Sequence, residues 1–190
     1  MISHPGYEGL IPKLKSKNLR DTMKMLRGDH SVRAELIRDR IEEIRRSNAK
    51  IAAVEKQMAA KVTESGTGLT QLQGIRFIVA AKILGEIGDP ARLRSRSSFA
   101  MMSGTAPVEA SSGRTKRHRL NRGGNRQLNY ALHMMAIARC RGDQDTKIYV
   151  ARLRSEGKSG KEAMRCLKRQ LSNVVFRQLI ADLKGSEMAA

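Results

Sequence analysis

Tryptophan is absent from this chain, and aromatic residues make up only 3% of its 190 positions. Base-stacking platforms of the kind used by single-strand binders are therefore poorly supplied, so contacts to backbone phosphates are the expected mode if the partner is a nucleic acid. Cysteine is scarcer still. Cys140 and Cys166 have no partners at zinc-site spacing and both fall in expected helices, which points to buried reduced thiols and a cytoplasmic protein. No apolar run approaches the length of a bilayer span, so no membrane-spanning helix is expected, and Met1-Ile-Ser-His-Pro-Gly6 does not make a signal peptide. Acidic residues are the last shortage. Against 37 Lys and Arg there are 18 Asp and Glu, a formal net charge of +19. Such an excess selects a polyanionic partner, with nucleic acid first in line.

What is present is helix-forming. An apolar content of 40% is enough for a real core, no internal repeat occurs, and no stretch reads as a convincing strand. The expected fold is all-α: a long coiled-coil-like helix followed by a compact helical domain. Residues 1–30, with Pro5, Gly6, Gly9 and Pro12, read as a tail and one short helix. Residues 31–63 read as one long helix opened by Ser31 as N-cap. Ile37, Ile41, Ile44, Ile51 and Met58 alternate spacings of four and three once Asn48 and Glu55 are placed in the same seam. That is a heptad pattern, with Asn48 as a polar residue of the kind that fixes register. A homodimer or higher oligomer through residues 31–62 is the expectation, with packing of this helix on its own domain as the alternative.

Residues 64–184 form the expected main domain, and 185–190 a tail. A turn at Gly74-Ile75-Arg76 separates a short helix from an apolar one, which resembles a helix-hairpin-helix motif. In that motif backbone amides meet a DNA phosphate at a helix N-terminus, and here Arg76 adds a cation where a second glycine usually stands. A final amphipathic helix over 161–183 repeats apolar residues every four positions, from Ala163 and Leu167 to Leu183. Lys161, Arg165, Lys168, Arg169 and Arg177 are expected on its solvated or DNA-facing side. Gly157-Lys158-Ser159 lacks the upstream glycine of a phosphate-binding loop, so a nucleotide site is set aside.

The chemistry concentrates in the loop Gly104 to Asn125. From Arg114 to Arg126 it carries Arg114, Lys116, Arg117, Arg119, Arg122 and Arg126, together with His118, and no acid. Ser111 and Ser112 lie just before this run. Hydroxyls beside clustered guanidinium groups suit passive phosphate binding, and they suit serine attack on a phosphodiester equally well. Asn125 is the expected N-cap of the next helix, whose free amides would face the same anion. His133, on or beside that helix's apolar face, is read as a core residue rather than a base.

Taken in order, Leu-x-x-Leu-x-Gly-Ile75, Ile87-Gly-Asp, Gly104-x-x-Pro107, Ser112-Gly, Arg119-Leu-x-Arg-x-Gly-Asn125, Glu156-Gly-Lys and Glu162-Ala-x-x-x-x-Lys-Arg169 resemble one insertion-sequence transposase family. Its members carry an N-terminal RuvC-like domain with four acidic residues, a coiled coil and a serine-bearing C-terminal domain, and are described as RNA-guided bridge recombinases. The resemblance covers about residues 5–184, the part expected to follow the acidic domain. It implies that Ser112 is the nucleophile, with Ser111 as the adjacent rival, and that DNA and a guide RNA are partners. It also implies that Arg114 and Arg119 hold the attacked phosphate, while Asn129 stands where many relatives have arginine. A divalent metal is expected only with the acidic domain. In this chain no metal ligand or other cofactor is expected, because Glu86, Asp89, Glu109, Asp143 and Asp145 show no ligand spacing. Alone, the chain is expected to bind DNA and to catalyse little. The other reading is a nonenzymatic module for DNA or structured RNA, in which both serines donate hydrogen bonds to phosphate.

Overall fold

The computed structural model describes residues 16–109, 118–119 and 121–189. It is built of α-helices, as the residue pattern requires, and divides into two units, Met1–Lys56 and Gln57–Ala190.

In the first unit, α1 (Ser16–Met25) is followed by the opening turns of α2 (Val32–Glu64). Ser31 caps α2 as expected, its hydroxyl accepting from the Ala34 amide at 3.2 Å, and the Ser31 amide donates to Asp29 Oδ1 at 2.9 Å. Arg38 ties the connection together by donating to the carbonyls of Leu26 and Asp29. Leu19, Leu26, Ala34 and Ile41 are buried here. Of the heptad seam, Ile37 and Ile44 are half-buried and Asn48 is exposed, while Ile51 keeps 55% of its surface and neighbouring Val54 52%.

The second unit is a helical core organised around α5 (Arg126–Gly142) and α7 (Gly160–Ala189). α3 (Phe77–Ile87) packs on α5, α4 (Arg96–Met102) on α7, and α6 (Gln144–Ser155) on both α5 and α7. The spacing-four stripe of the last helix goes inward as read, with Ala163, Leu167, Leu171, Val175 and Leu179 all buried. Leu167, Leu171, Val175 and Leu179 share one cluster with Leu128, Leu132 and Met135 of α5, Ile83 of α3 and Phe99 of α4. Fully burying a side chain of this size contributes about 1.5–3 kcal/mol.

Three local readings change. The segment before Gly74 is a 3-10 turn, Gly68–Gln71, rather than a helix. Asp182 of α7 holds it, accepting from the Thr67 hydroxyl at 2.7 Å and from the Gly68 amide at 3.1 Å. Gly74 has φ +88° and packs so closely on α5 that a Cβ there would lie 2.8 Å from the Met135 carbonyl oxygen. Both facts explain the glycine by packing. The chain also contains a strand pair: β1 (Val108–Glu109) runs antiparallel to β2 (His118–Arg119), with Val108 opposite Arg119. Two residues per strand are too few for an alternating sequence signal, so the pairing was invisible to pattern reading.

Candidate nucleic-acid interface

The strand pair sits at the root of the basic loop. Ser111, Ser112, Arg114, Lys116 and Arg117 fall within residues 110–117, outside the described residues. What the structure places is the frame from which that segment leaves, after Glu109, and to which it returns, at His118.

The frame is held at several points. Asn125 caps α5 as expected, its Oδ1 accepting from the Gln127 and Leu128 amides at 2.8 and 3.0 Å. Its Nδ2 donates to Glu86 Oε2 at 2.7 Å, so a carboxylate from α3 orients the cap and takes one of its two side-chain N–H donors. The Asn125 amide reaches the Met102 carbonyl at 2.6 Å. Asn129, one turn further along α5, donates to the carbonyls of Ser103 and Gly104 at 2.9 and 3.1 Å. Its Oδ1 accepts from Lys168 Nζ at 2.7 Å. Gly124 meets Gly104 backbone to backbone. These contacts join the end of α4, the start of α5 and the middle of α7.

Around this frame lie two clefts. The first, about 550 Å³, has Gly104, Pro107, His118 and Arg119 on the loop side and Glu156 and Lys158 at the α6–α7 turn. Its α7 wall carries Glu162, Arg165, Lys168 and Arg169. Arg119, Lys158, Arg165, Lys168 and Arg169 are cationic, and the two carboxylates are already engaged. Glu156 pairs with Lys158 at 3.1 Å and Arg152 at 3.7 Å. Glu162 forms a capping box with Ser159, accepting from its amide at 2.9 Å and its hydroxyl at 2.7 Å, while the Glu162 amide donates back at 3.3 Å. Those bonds hold its carboxyl below the usual range. The serine of the Gly157-Lys158-Ser159 triplet thus starts a helix, whereas Lys158 faces the cleft.

The second cleft, about 600 Å³, is lined by Asn121, Arg122, Gly124, Arg126, Asn129, Tyr130, His133 and Lys168, with no carboxylate among them. Asn121 and Lys168 belong to both clefts. His133 is half-buried; burial first, and the Lys168 charge second, push its pKa down. Arg76 stands apart from both, exposed at the N-cap of α3 without a side-chain capping bond.

Of the expected phosphate ligands, then, Arg119, Arg122, Asn125 and Arg126 are brought to one region. Lys158 joins them unread from the sequence, and Arg165 and Lys168, expected on a solvated or DNA-facing side of the last helix, lie in the same region as the basic loop. Lys168 had been placed on such a side, yet only 8% of it is exposed. The available signal was its position between Met164 and Ser172, four residues either way on a second inward row, with Ser172 fully buried. Among the described residues no three His, Cys, Asp or Glu side chains converge. The described residues therefore do not fit a divalent metal, and no step below runs through one. No helix among them is long and apolar enough to cross a membrane.

Residues 66–151, from the 3-10 turn through α6, match the model of the Transposase IS116/IS110/IS902 family. The chain is 35% identical over 113 residues to the insertion element IS110 uncharacterized 43.6 kDa protein of Streptomyces coelicolor. It is 31% identical over 113 residues to the insertion element IS900 uncharacterized 42 kDa protein of Mycobacterium paratuberculosis. Each alignment takes in 58% of this chain and 28% of the relative, so the chain spans about a quarter of the length of the proteins it matches. By these comparisons the chain is similar to insertion-element proteins, and the transposase-family match lies within residues 66–151.

Proposed function

We propose that this chain is the DNA-binding C-terminal portion of such a transposase, with Ser112 as nucleophile on a DNA phosphodiester. The observation that supports the reading is convergence. The strand pair at the root of the serine loop, the α6–α7 turn and the cationic wall of α7 meet around one cleft, although they are dispersed from Gly104 to Arg169 in sequence. In the reaction, Ser112 Oγ forms a bond to phosphorus as the bond to one sugar oxygen breaks. The serine proton passes to an acceptor, and the departing oxygen takes one up. Arg119, with Arg114 beside it in sequence, offsets the charge that builds on the nonbridging oxygens. The family's acidic domain, supplied by a partner segment, would complete the site. Dimerisation through residues 31–62 belongs to the same proposal, and exposed Ile51 and Val54 provide apolar surface for it. So does a guide RNA, which would compete with duplex DNA for the basic clefts.

The test is trapping of a covalent protein–DNA product in the presence of a segment carrying the acidic domain. Parent protein is expected to form it and Ser112→Ala to form none. An S112A variant that forms the adduct as well as the parent refutes the assignment. Tight DNA binding by the parent without an adduct would leave a nonenzymatic nucleic-acid module.

A further inference from the structure

Lys168 is the unusual residue of this site. It is a lysine with 8% of its surface exposed, in the middle of α7, on the floor shared by both clefts. A buried ammonium ordinarily has a carboxylate partner, because desolvating an unpaired charge is costly. Here its hydrogen bond goes to a neutral oxygen, Asn129 Oδ1 at 2.7 Å, and among the described residues it makes no ion pair. Burial, and then the Arg165 charge, hold its pKa below the usual lysine range.

The neighbouring side chains do not relieve this. Arg169 is turned along its own helix, donating to Asn173 and, at 3.4 Å, to the Ser172 hydroxyl. Glu162 is committed to Ser159. Asn129 cannot rotate its amide to do otherwise, since its Nδ2 is fixed on the carbonyls of Ser103 and Gly104 and leaves Oδ1 facing the lysine. The ammonium is consequently held at one place with donor capacity to spare, between cations and at the root of the loop. An ammonium carries three donors, of which this bond uses one.

We propose that Lys168 is a direct ligand of one DNA phosphate group, and that Asn129 is its positioning residue. The inference rests on the DNA-binding reading above and adds a specific contact to it. A phosphodiester supplies both things this lysine lacks, a negative charge and further acceptor oxygens, and the flanking Arg119 and Arg165 favour the same ligand. On this account α7 contributes the fixed point to which the backbone of the DNA is held.

The experiment measures duplex DNA affinity across a salt series for the parent, Lys168→Met, Lys168→Gln and Lys147→Met, with thermal unfolding of each. Lys147 is exposed on α6 and lines neither cleft, so its variant reports the effect of losing one charge anywhere. Lys168→Met is expected to bind about tenfold more weakly and to lose about 0.9 from the slope of log affinity against log salt, one phosphate contact. It should melt close to the parent, because removal of an unpaired buried charge offsets the donor lost to Asn129 Oδ1. Lys168→Gln keeps a donor for Asn129 and is expected to lose the same affinity, which preserves the test if the methionine variant folds poorly. Binding by both Lys168 variants within twofold of the parent, with an unchanged slope, overturns the contact and leaves the DNA-binding reading standing. An equal loss in Lys147→Met also overturns it. If the parent itself binds no duplex at low salt, the functional reading fails and takes the contact with it.

Discussion

Replacing Gly124 by alanine should separate the two ends of the serine loop. An added Cβ would lie 2.2 Å from the Gly104 nitrogen, 2.3 Å from its Cα and 3.0 Å from the Met101 carbonyl oxygen. Carbon contacts are comfortable only at about 3.5–4.0 Å, so the backbones must part by more than about 1 Å. Every atom met is main chain, and no side-chain rotation relieves the overlap. The bonds that depend on this approach are Asn125 N to Met102 O at 2.6 Å, Asn129 Nδ2 to the carbonyls of Ser103 and Gly104, and Asn121 Nδ2 to Met101 O at 3.2 Å. At about 0.5–1.5 kcal/mol each, partial loss of the four amounts to about 3 kcal/mol. For a protein of this length that is a fall of about 6–12 °C in Tm. Gly85 is the control. It is exposed within α3, and a Cβ there meets nothing within 4 Å, so Gly85→Ala should stabilise by about 0.5–1 kcal/mol through helix propensity. Denaturant unfolding followed by circular dichroism reads both. A Gly124→Ala protein within about 0.5 kcal/mol of the parent would refute the close approach as the device that fixes the loop.

Two further expectations concern the same frame. Asn125→Asp preserves a good capping residue but sets a carboxylate against Glu86, so it should destabilise by about 1–2 kcal/mol, and Glu86→Gln in the same chain should restore most of the loss. Independence of the two substitutions in a double-mutant cycle would remove Glu86 from the cap. His133 has its folded pKa pushed below the ordinary 6.5 by burial and by Lys168. The unfolded chain therefore takes up the proton first, and the unfolding free energy should fall as pH drops below about 6.5 and through the lower folded pKa. His133→Gln should flatten that part of the profile measured between pH 7.5 and 5. An unchanged profile would show that His133 titrates freely.

Much of this fold was legible because helices announce themselves locally. The Ser31 and Asn125 caps and the inward row from Ala163 to Leu179 were readable, since a cap is one residue beside its helix and an amphipathic face is a spacing. The basic run up to Arg126 was legible as a concentration of positive charge for the same reason: six like charges without an acid require no knowledge of the fold. The family resemblance rested on ordered motifs, and comparison finds similarity to an insertion-sequence transposase family over residues 66–151.

Tertiary structure alone decided which charges matter. Lys168 and Arg177 look alike in sequence, two cations on one amphipathic helix, but the packing of α7 against α5 buries the first and leaves the second exposed. The α6–α7 turn reads as a failed phosphate loop until the fold sets Glu156 and Lys158 opposite Arg119 across a cleft. Glycine at 124 looks like flexibility and is a close backbone approach. In each case the deciding contact joins residues more than fifteen positions apart, and burial, desolvation and steric exclusion act between neighbours in space. Sequence by itself determined that this is a helical, strongly basic chain whose cations concentrate in one acid-free run. The arrangement of its helices determined which distant cations stand beside that run.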